Sequence, residues 1–251
     1  MSEPRRSERV IGPGGTGRVV LAVDTATDSV VTGVAELTGG SIADVRVLAE
    51  RVVADHRRHA ELLTTLIAES LAESGVSRSA LDAVVIGCGP GPFTGLRVGM
   101  ATGAAFADAL GVPAYGVCSL DALAQEADAG SAASDVLVVT DARRREVYWG
   151  LYRNGERRRG PEVTAPAVVA DELARDLADG VIGVAAGSAS HLELVGWAGA
   201  PPRVRVPSVR GLVAAAAPGI MAGVAPEPLV PLYLRRPDAV EQKARKVGAK
   251  R

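Results

Sequence analysis

Gly89-Pro90-Gly91-Pro92-Phe93-Thr94-Gly95-Leu96-Arg97 is the stretch on which the reading of this chain turns. The apolar run Ala83-Val84-Val85-Ile86-Gly87-Cys88 stands before it and reads as a buried strand. Val98 to Leu110 comes next and reads as a helix, with Gly111 as its stop. A strand, a glycine-rich turn and a helix N-terminus bring backbone N–H groups together, facing either a phosphate or a partner protein.

Upstream, Arg18 to Val23 is a β-branched run that ends at Asp24. Ser29 to Leu37 reads as a second strand, Gly39-Gly40 turns the chain, and Ser41 to Val53 continues as a third. Three consecutive strands of this kind predict an antiparallel meander. A helix is expected from about Arg57 to Glu73, where Leu62, Leu63, Leu66, Ile67 and Leu71 recur at helical spacing. Downstream, Ala114 to Val117 reads as a strand, and Ser119 is placed to cap a short helix from Leu120 to Glu126.

Ala127 to Ser134 reads as a linker, and after it the opening plan returns. Val136 to Thr140 is a strand ending at Asp141; a polar turn with Arg143-Arg144-Arg145 leads into Glu146 to Tyr152; Asn154-Gly155 signals a hairpin. This internal repeat predicts two related α/β subdomains with a cleft between them. A helix over Ala167 to Ala178, a strand over Val181 to Ala186 and a helix over Val209 to Met221 capped by Ser208 complete the second half. The boundaries expected are a disordered leader over 1–18, subdomains over 19–127 and 128–239, and a basic tail over 240–251.

Composition narrows the function classes. With 28 Lys and Arg against 29 Asp and Glu, the chain is not a broadly basic nucleic-acid binder, so any RNA contact is local or supplied by a partner. Aromatics are only 3%, which leaves the core to Val, Leu and Ala. Two cysteines, Cys88 and Cys118, exclude a disulfide framework and a Cys-rich zinc site, and read as buried free thiols in a reducing compartment. The leader lacks a signal-peptide core, and the apolar stretch Gly211 to Ala225 is too short to span a bilayer and carries Pro218. A cytoplasmic protein with no membrane partner is expected.

Four features are candidates for chemistry or for contact. Asp24-Thr25-Ala26-Thr27 has a strand-end carboxylate followed by hydroxyls. Asp24, Thr25 and Thr27 could hold a hydrated Mg²⁺ and a phosphate, or form an Asx-type turn that satisfies local N–H groups. The arginines after Asp141 stand where an opposing phosphate loop would sit, or are an exposed basic turn. His56 and His59 share a helix face but lack a third ligand, so no metal site is expected. Finally, Gly95, Gly99, Gly103 and Ala107 repeat every four residues. Such a stripe permits close packing either against the chain's own sheet or against a second subunit, with the leucine-rich helix beside it.

The strings Leu21-Ala22-Val23-Asp24-Thr25-Ala26-Thr27, His59-Ala60-Glu61-Leu62-Leu63, Gly89 to Gly99 and Pro231-Leu232-Tyr233-Leu234-Arg235 closely resemble the TsaB (YeaZ) family, from about Val19 to Ala239. The resemblance implies the actin-like ATPase (ASKHA) fold and a role in forming threonylcarbamoyladenosine in tRNA. It implies pairing with the paralogue TsaD, which transfers the threonylcarbamoyl group, together with the ATPase TsaE. A homodimer through the same seam is the free-state alternative, and tRNA is met through the complex. TsaD-like proteins carry a His-x-x-x-His metal pair where Ser119 and Leu123 stand here. A hydroxyl is a poor ligand for iron or zinc and a leucine is none. The expectation is therefore a non-catalytic scaffold subunit with no catalytic residue and no cofactor. The partner face expected comprises His59, Leu62, Leu63, Leu66, Ile67, Gly95, Val98, Gly99, Thr102 and Gly103. The alternative is a small-molecule kinase or ATPase of the same fold that uses Asp24 and the turn after Asp141. A metallopeptidase is disfavoured by the lack of a His/Glu metal constellation.

Overall fold

A computed structural model describes residues 17–54, 59–128 and 134–235, with residues 59–61 described by backbone alone. The expectations for most of the leader, His56, much of the linker and the basic tail lie outside the described residues.

The first sheet holds β1 (Arg18–Asp24), β2 (Ser29–Leu37), β3 (Val45–Ala54), β4 (Ala83–Gly87) and β5 (Ala114–Val117), in the order β3-β2-β1-β4-β5. The first three strands form the antiparallel meander, and β4 and β5 run parallel to β1 and to each other. The second sheet holds β6 (Asp135–Asp141), β7 (Val147–Arg153), β8 (Glu156–Thr164) and β9 (Ile182–Gly187), in the order β8-β7-β6-β9. It repeats the plan: antiparallel β6-β7-β8, with β9 parallel to β6. The sequence repeat is thus a repeat of topology, and the architecture is α/β with two related halves.

Two boundaries differ from the sequence reading: the helix expected from Val98 begins at Phe93, and the third strand begins later than expected. Residues 42–44 form a 3₁₀ turn rather than the start of β3. The Asp44 carboxylate accepts bonds from the Ser41 N–H and hydroxyl, and this local pairing outcompetes the strand ladder.

Helices α1 (His59–Ser74) and α2 (Phe93–Leu110) cover the outer face of the first sheet. Alternation along β1 explains how one strand feeds two cores. Leu21 and Val23 meet Leu63, Ile67, Leu96 and Met100, whereas Val20 and Ala22 point the other way. Their cover is α6 (Val209–Ala222), through Leu212, Val213, Ala217 and Ile220. Each fully buried leucine or valine contributes roughly 1.5–3 kcal/mol.

The second sheet is covered on its outer face by α4 (Pro166–Ala178) and α5 (Ala189–Leu194), and on its inner face by α3 (Ser119–Asp128). The two central helices are therefore exchanged. The one that precedes the linker covers the second sheet, and the one near the chain's end covers the first. They cross at Gly211, where a Cβ would lie 2.2 Å from the Ala122 carbonyl oxygen. Ser208 ties the crossing: its hydroxyl accepts the Gly211 N–H at 2.9 Å, as a helix cap should, and donates to Glu126 at 2.9 Å. Pro218 stands inside α6 without ending it. Among the described residues no helix is long and apolar enough to cross a membrane.

Candidate functional site

The loop between β4 and α2 is a hub joining four segments. Gly91 packs on the β1–β2 turn so closely that a Cβ there would lie 2.1 Å from the Ala26 carbonyl oxygen. Only glycine fits. The Gly89 carbonyl accepts the Ser119 N–H at 2.7 Å, and the Cys88 carbonyl accepts the Leu232 N–H at 2.8 Å. The loop thus holds the start of α3 and the extended C-terminal strap as well as β1.

Asp24 lies under this hub and is fully buried. One carboxylate oxygen accepts the Ala26 N–H at 2.8 Å, and the other accepts the Ser119 hydroxyl at 2.5 Å. Burial pushes the Asp24 carboxyl up to about 6, against the two hydrogen bonds, which favour the charged form. Thr25 is also fully buried, and its hydroxyl donates to the Gly95 carbonyl at 2.7 Å. Asp24 and Thr25, expected as phosphate-binding residues, thus have both side chains buried and bonded within the fold. Thr27 is partly exposed and accepts the Ser29 N–H at 3.3 Å, the turn arrangement. Ser119 is corrected as a helix cap, since its hydroxyl serves Asp24 instead. Cys88 and Cys118 are buried free thiols, raised to about 11 and about 12 chiefly by burial.

The small-residue stripe on α2 also faces inward. A Cβ on Gly99 would stand 2.1 Å from Thr25 Oγ1, and one on Gly103 would stand 2.8 Å from the Ile86 side chain. Leu63 and Ile67 are fully buried and Leu66 nearly so. Of the residues expected on a partner face, Leu63, Leu66, Ile67, Gly99 and Gly103 pack in the chain's own core. A leucine at position 99 would test the fold, not an interface. Gly95, Leu62, Val98 and Thr102 stay half-buried at the surface, and the His59 side chain lies outside the described residues. The outward face of the two helices carries the exposed small residues Thr65, Ala68, Ala72, Ala101 and Ala105.

At the N-terminal end of α2, Phe93 stacks on Tyr233 with ring centres 4.9 Å apart. The Arg97 guanidinium lies 3.9 Å from the Phe93 ring centre and donates to the Tyr233 hydroxyl at 2.7 Å. Sequence reasoning did not pair these residues. The available signal was a long aromatic in an otherwise aromatic-poor chain, in each of two motif strings.

The second half presents a different strand end. Asp141 is partly exposed and lines a cavity of about 260 Å³ between the halves, with Thr27, Asp28, Arg143, Ser188, His191 and Arg205 among the walls. Arg143 crosses the cleft to Asp28 at 2.7 Å and also pairs with Asp141 at 3.2 Å. His191 Nδ1 meets the Ser188 hydroxyl at 2.7 Å, and its Nε2 lies 3.5 Å from Asp141. These residues from α5 and its approach were missed, because a six-residue helix shows no period. Among the described residues no three His, Cys, Asp or Glu side chains are grouped as a metal site needs.

Known proteins resemble this chain in sequence and in fold. The family profile described as "TsaD: tRNA N6-adenosine threonylcarbamoyltransferase" matches residues 46–187. An uncharacterized protein of Mycobacterium tuberculosis is 49% identical over 220 residues, 88% of this chain and 93% of that one. The tRNA threonylcarbamoyladenosine biosynthesis protein TsaB of Escherichia coli is 34% identical over 137 residues, 55% of this chain and 56% of its own length. The structure of YeaZ from Pseudomonas aeruginosa superposes with a TM-score of 0.61 at 28% identity, covering 84% of this chain and 95% of that one. By these matches in sequence and structure, the chain is a member of the TsaB (YeaZ) family.

Proposed function

We propose that this chain is a non-catalytic partner subunit in the formation of threonylcarbamoyladenosine in tRNA, and that it pairs with a TsaD-type threonylcarbamoyltransferase in the cytoplasm, with a TsaE-type ATPase joining the pair. The pathway is inferred from the names of its relatives. One observation carries the non-catalytic role. Ser119 and Leu123, which stand where the paralogue's metal pair would be, both point into packed protein. The Ser119 hydroxyl is bonded to Asp24, and Leu123 is fully buried beside Tyr152 and Val138. Neither is a ligand by type, and neither faces open space. The kinase alternative needs a carboxylate in the cleft at the end of β1, but Asp24 is sealed beneath the hub.

The pairing surface is the outward face of α1 and α2. Its alanines and threonines are small enough to let a partner's helices approach closely, with Leu62 and Val98 as the apolar centre. Mixing the purified chain with TsaD gives a complex on size exclusion. Ala68→Glu with Ala101→Glu removes it, because both positions are exposed and a buried charge at the new interface is costly. Cells depleted of the chain lose threonylcarbamoyladenosine from their tRNA, read by mass spectrometry of nucleosides. Full modification in depleted cells, or an unchanged complex with the double variant, overturns the reading.

A further inference from the structure

The two sheets end differently on the side of their parallel strands. In the first, β5 runs beside β4 and is itself covered by the C-terminal strap, so that a Cβ on Gly116 would lie 3.0 Å from the Leu229 side chain. In the second, β9 holds the place of β4, and among the described residues no strand pairs with its far side. The Ser188 N–H turns toward β6 and donates to the Val139 carbonyl at 2.8 Å, whereas the Gly187 N–H turns away and donates to the Val204 carbonyl at 2.8 Å. Peptide groups alternate along a strand, so those of Ala185 face the same side as the Gly187 N–H. Among the described residues they have no backbone partner there. An unpaired row of this kind is a template for one more strand.

The surroundings leave room for it. Among the described residues, Val204 makes the only backbone bond between residues 200–204 and β9, and Pro201 and Pro202 have no N–H with which to continue the pairing. Between this segment and residues 183–185 lies a groove of about 470 Å³, with Trp197, Arg203 and Glu126 in its walls. A second groove, of about 610 Å³, shares Gly183 and Trp197 with the first and runs along α4 past Ala170, Ala174 and Leu177; no charged side chain lines it among the described residues. Trp197 is half-buried and held by its Nε1–H, which donates to the Ala200 carbonyl at 2.9 Å. Arg203 is exposed and has no acidic partner among the described residues. At such an edge, main-chain pairing supplies affinity and grooves for alternate side chains supply selectivity.

We propose that the open edge of β9 binds an extended segment of a partner protein as a further, parallel strand of the second sheet. The first half supplies the template, since β5 pairs with β4 in parallel and holds only the uncharged residues Ala114–Val117. The segment is apolar at alternate positions, to fill the two grooves, and carries an acidic side chain to meet Arg203. A second copy of this chain does not fit the template, because the two-fold axis of a dimer sets β9 against β9 in antiparallel.

The probe is a short fluorescein-labelled peptide that alternates valine with threonine and carries one aspartate, titrated with the full chain by fluorescence polarisation. It binds, and amide hydrogen exchange of the full chain slows at residues 183–185. Lysine in place of the aspartate weakens binding about two- to fivefold. N-methylation of the peptide backbone abolishes binding, because main-chain pairing is lost. Arg203→Glu, at an exposed position, reverses the order so that the lysine peptide binds better, with Tm unchanged. Ala185→Pro removes the N–H that would pair and abolishes binding; if that variant fails to fold, the exchange protection and the Arg203→Glu reversal decide. Binding that survives N-methylation, protection elsewhere than β9, an unchanged preference in Arg203→Glu, or no binding of the aspartate peptide overturns the proposal. So does a dimer of the free chain that itself protects residues 183–185. This surface follows from the fold alone, so nucleoside analysis of depleted cells decides the pathway reading separately.

Discussion

Asp24 and Asp141 end equivalent strands, β1 and β6, in two halves built on one plan. Asp24 is fully buried with both carboxylate oxygens bonded, whereas the Asp141 side chain keeps 29% of its exposure and faces the cleft. The cause lies in the chain beyond the parallel strand of each sheet. In the first sheet β5 runs beside β4 and delivers Ser119 onto Asp24. The second sheet stops at β9, and the chain leaves it through the short α5, whose His191 and Ser188 sit beside Asp141 without closing over it. One extra strand turns a cleft carboxylate into a core carboxylate. The half that gained it became framework, and the half that lacks it kept charged groups at the surface.

The strongest way to break this contrast is to delete both carboxylates in turn. Asp24→Ala strands the Ala26 N–H and the Ser119 hydroxyl in the core, at about 2 kcal/mol each, so urea unfolding should show a loss of about 4 kcal/mol. Asp141→Ala removes partly exposed ion pairs and should cost less than about 1 kcal/mol. Equal losses would show that the two ends are not different in kind.

Acidity sharpens the same comparison. The Asp24 carboxyl titrates near 6 in the folded protein against an ordinary value of 3.8, so the folded state holds this proton more tightly than the unfolded chain. The stabilisation is complete below pH about 4 and is lost as pH rises through about 6. It amounts to about 3 kcal/mol across that window. Subtracting the stability of Asp24→Asn at each pH isolates this slope. A flat difference would mean that Asp24 is more hydrated than its burial implies.

Smaller effects are expected at the partners. Ser119→Ala removes a hydrogen bond to a buried carboxylate and should cost about 2 kcal/mol, while moving the Asp24 titration still higher. Asp28→Ala cuts the exposed bridge to Arg143 and should cost under about 0.5 kcal/mol, with even that vanishing in high salt. A large cost at Asp28 would make the cleft, and not the hub, the joint that holds the halves together.

Patterning made much of this fold legible. The β-branched run Arg18 to Val23, the glycines after β4 and the hairpin signal at Asn154-Gly155 each specify a local geometry, and the repeat of strand, Asp and turn announced two halves. What patterning could not give was which surface meets which. A stripe of glycines reports close approach but not the identity of the neighbour, and Gly99 and Gly103 turned out to face Thr25 and Ile86. Ser119 and Asp24 are 95 residues apart, and the same residue types cap helices and make turns locally, so the local reading took them. The Phe93–Arg97–Tyr233 stack joins positions 136 or more residues apart, beyond any periodic signal.

The exchanged helices set a limit on the order in which the protein can be finished. When the ribosome has delivered β5, every strand of the first sheet exists, but the face of Val20, Ala22, Val31 and Val85 waits for a helix that ends at Ala222. Nascent chains tend to complete their domains from the N-terminus forward. Here the earliest sheet is completed by the last helix among the described residues, so an oily surface stays open until Ala222 has been made, and a chain cut short before it holds no self-sufficient half.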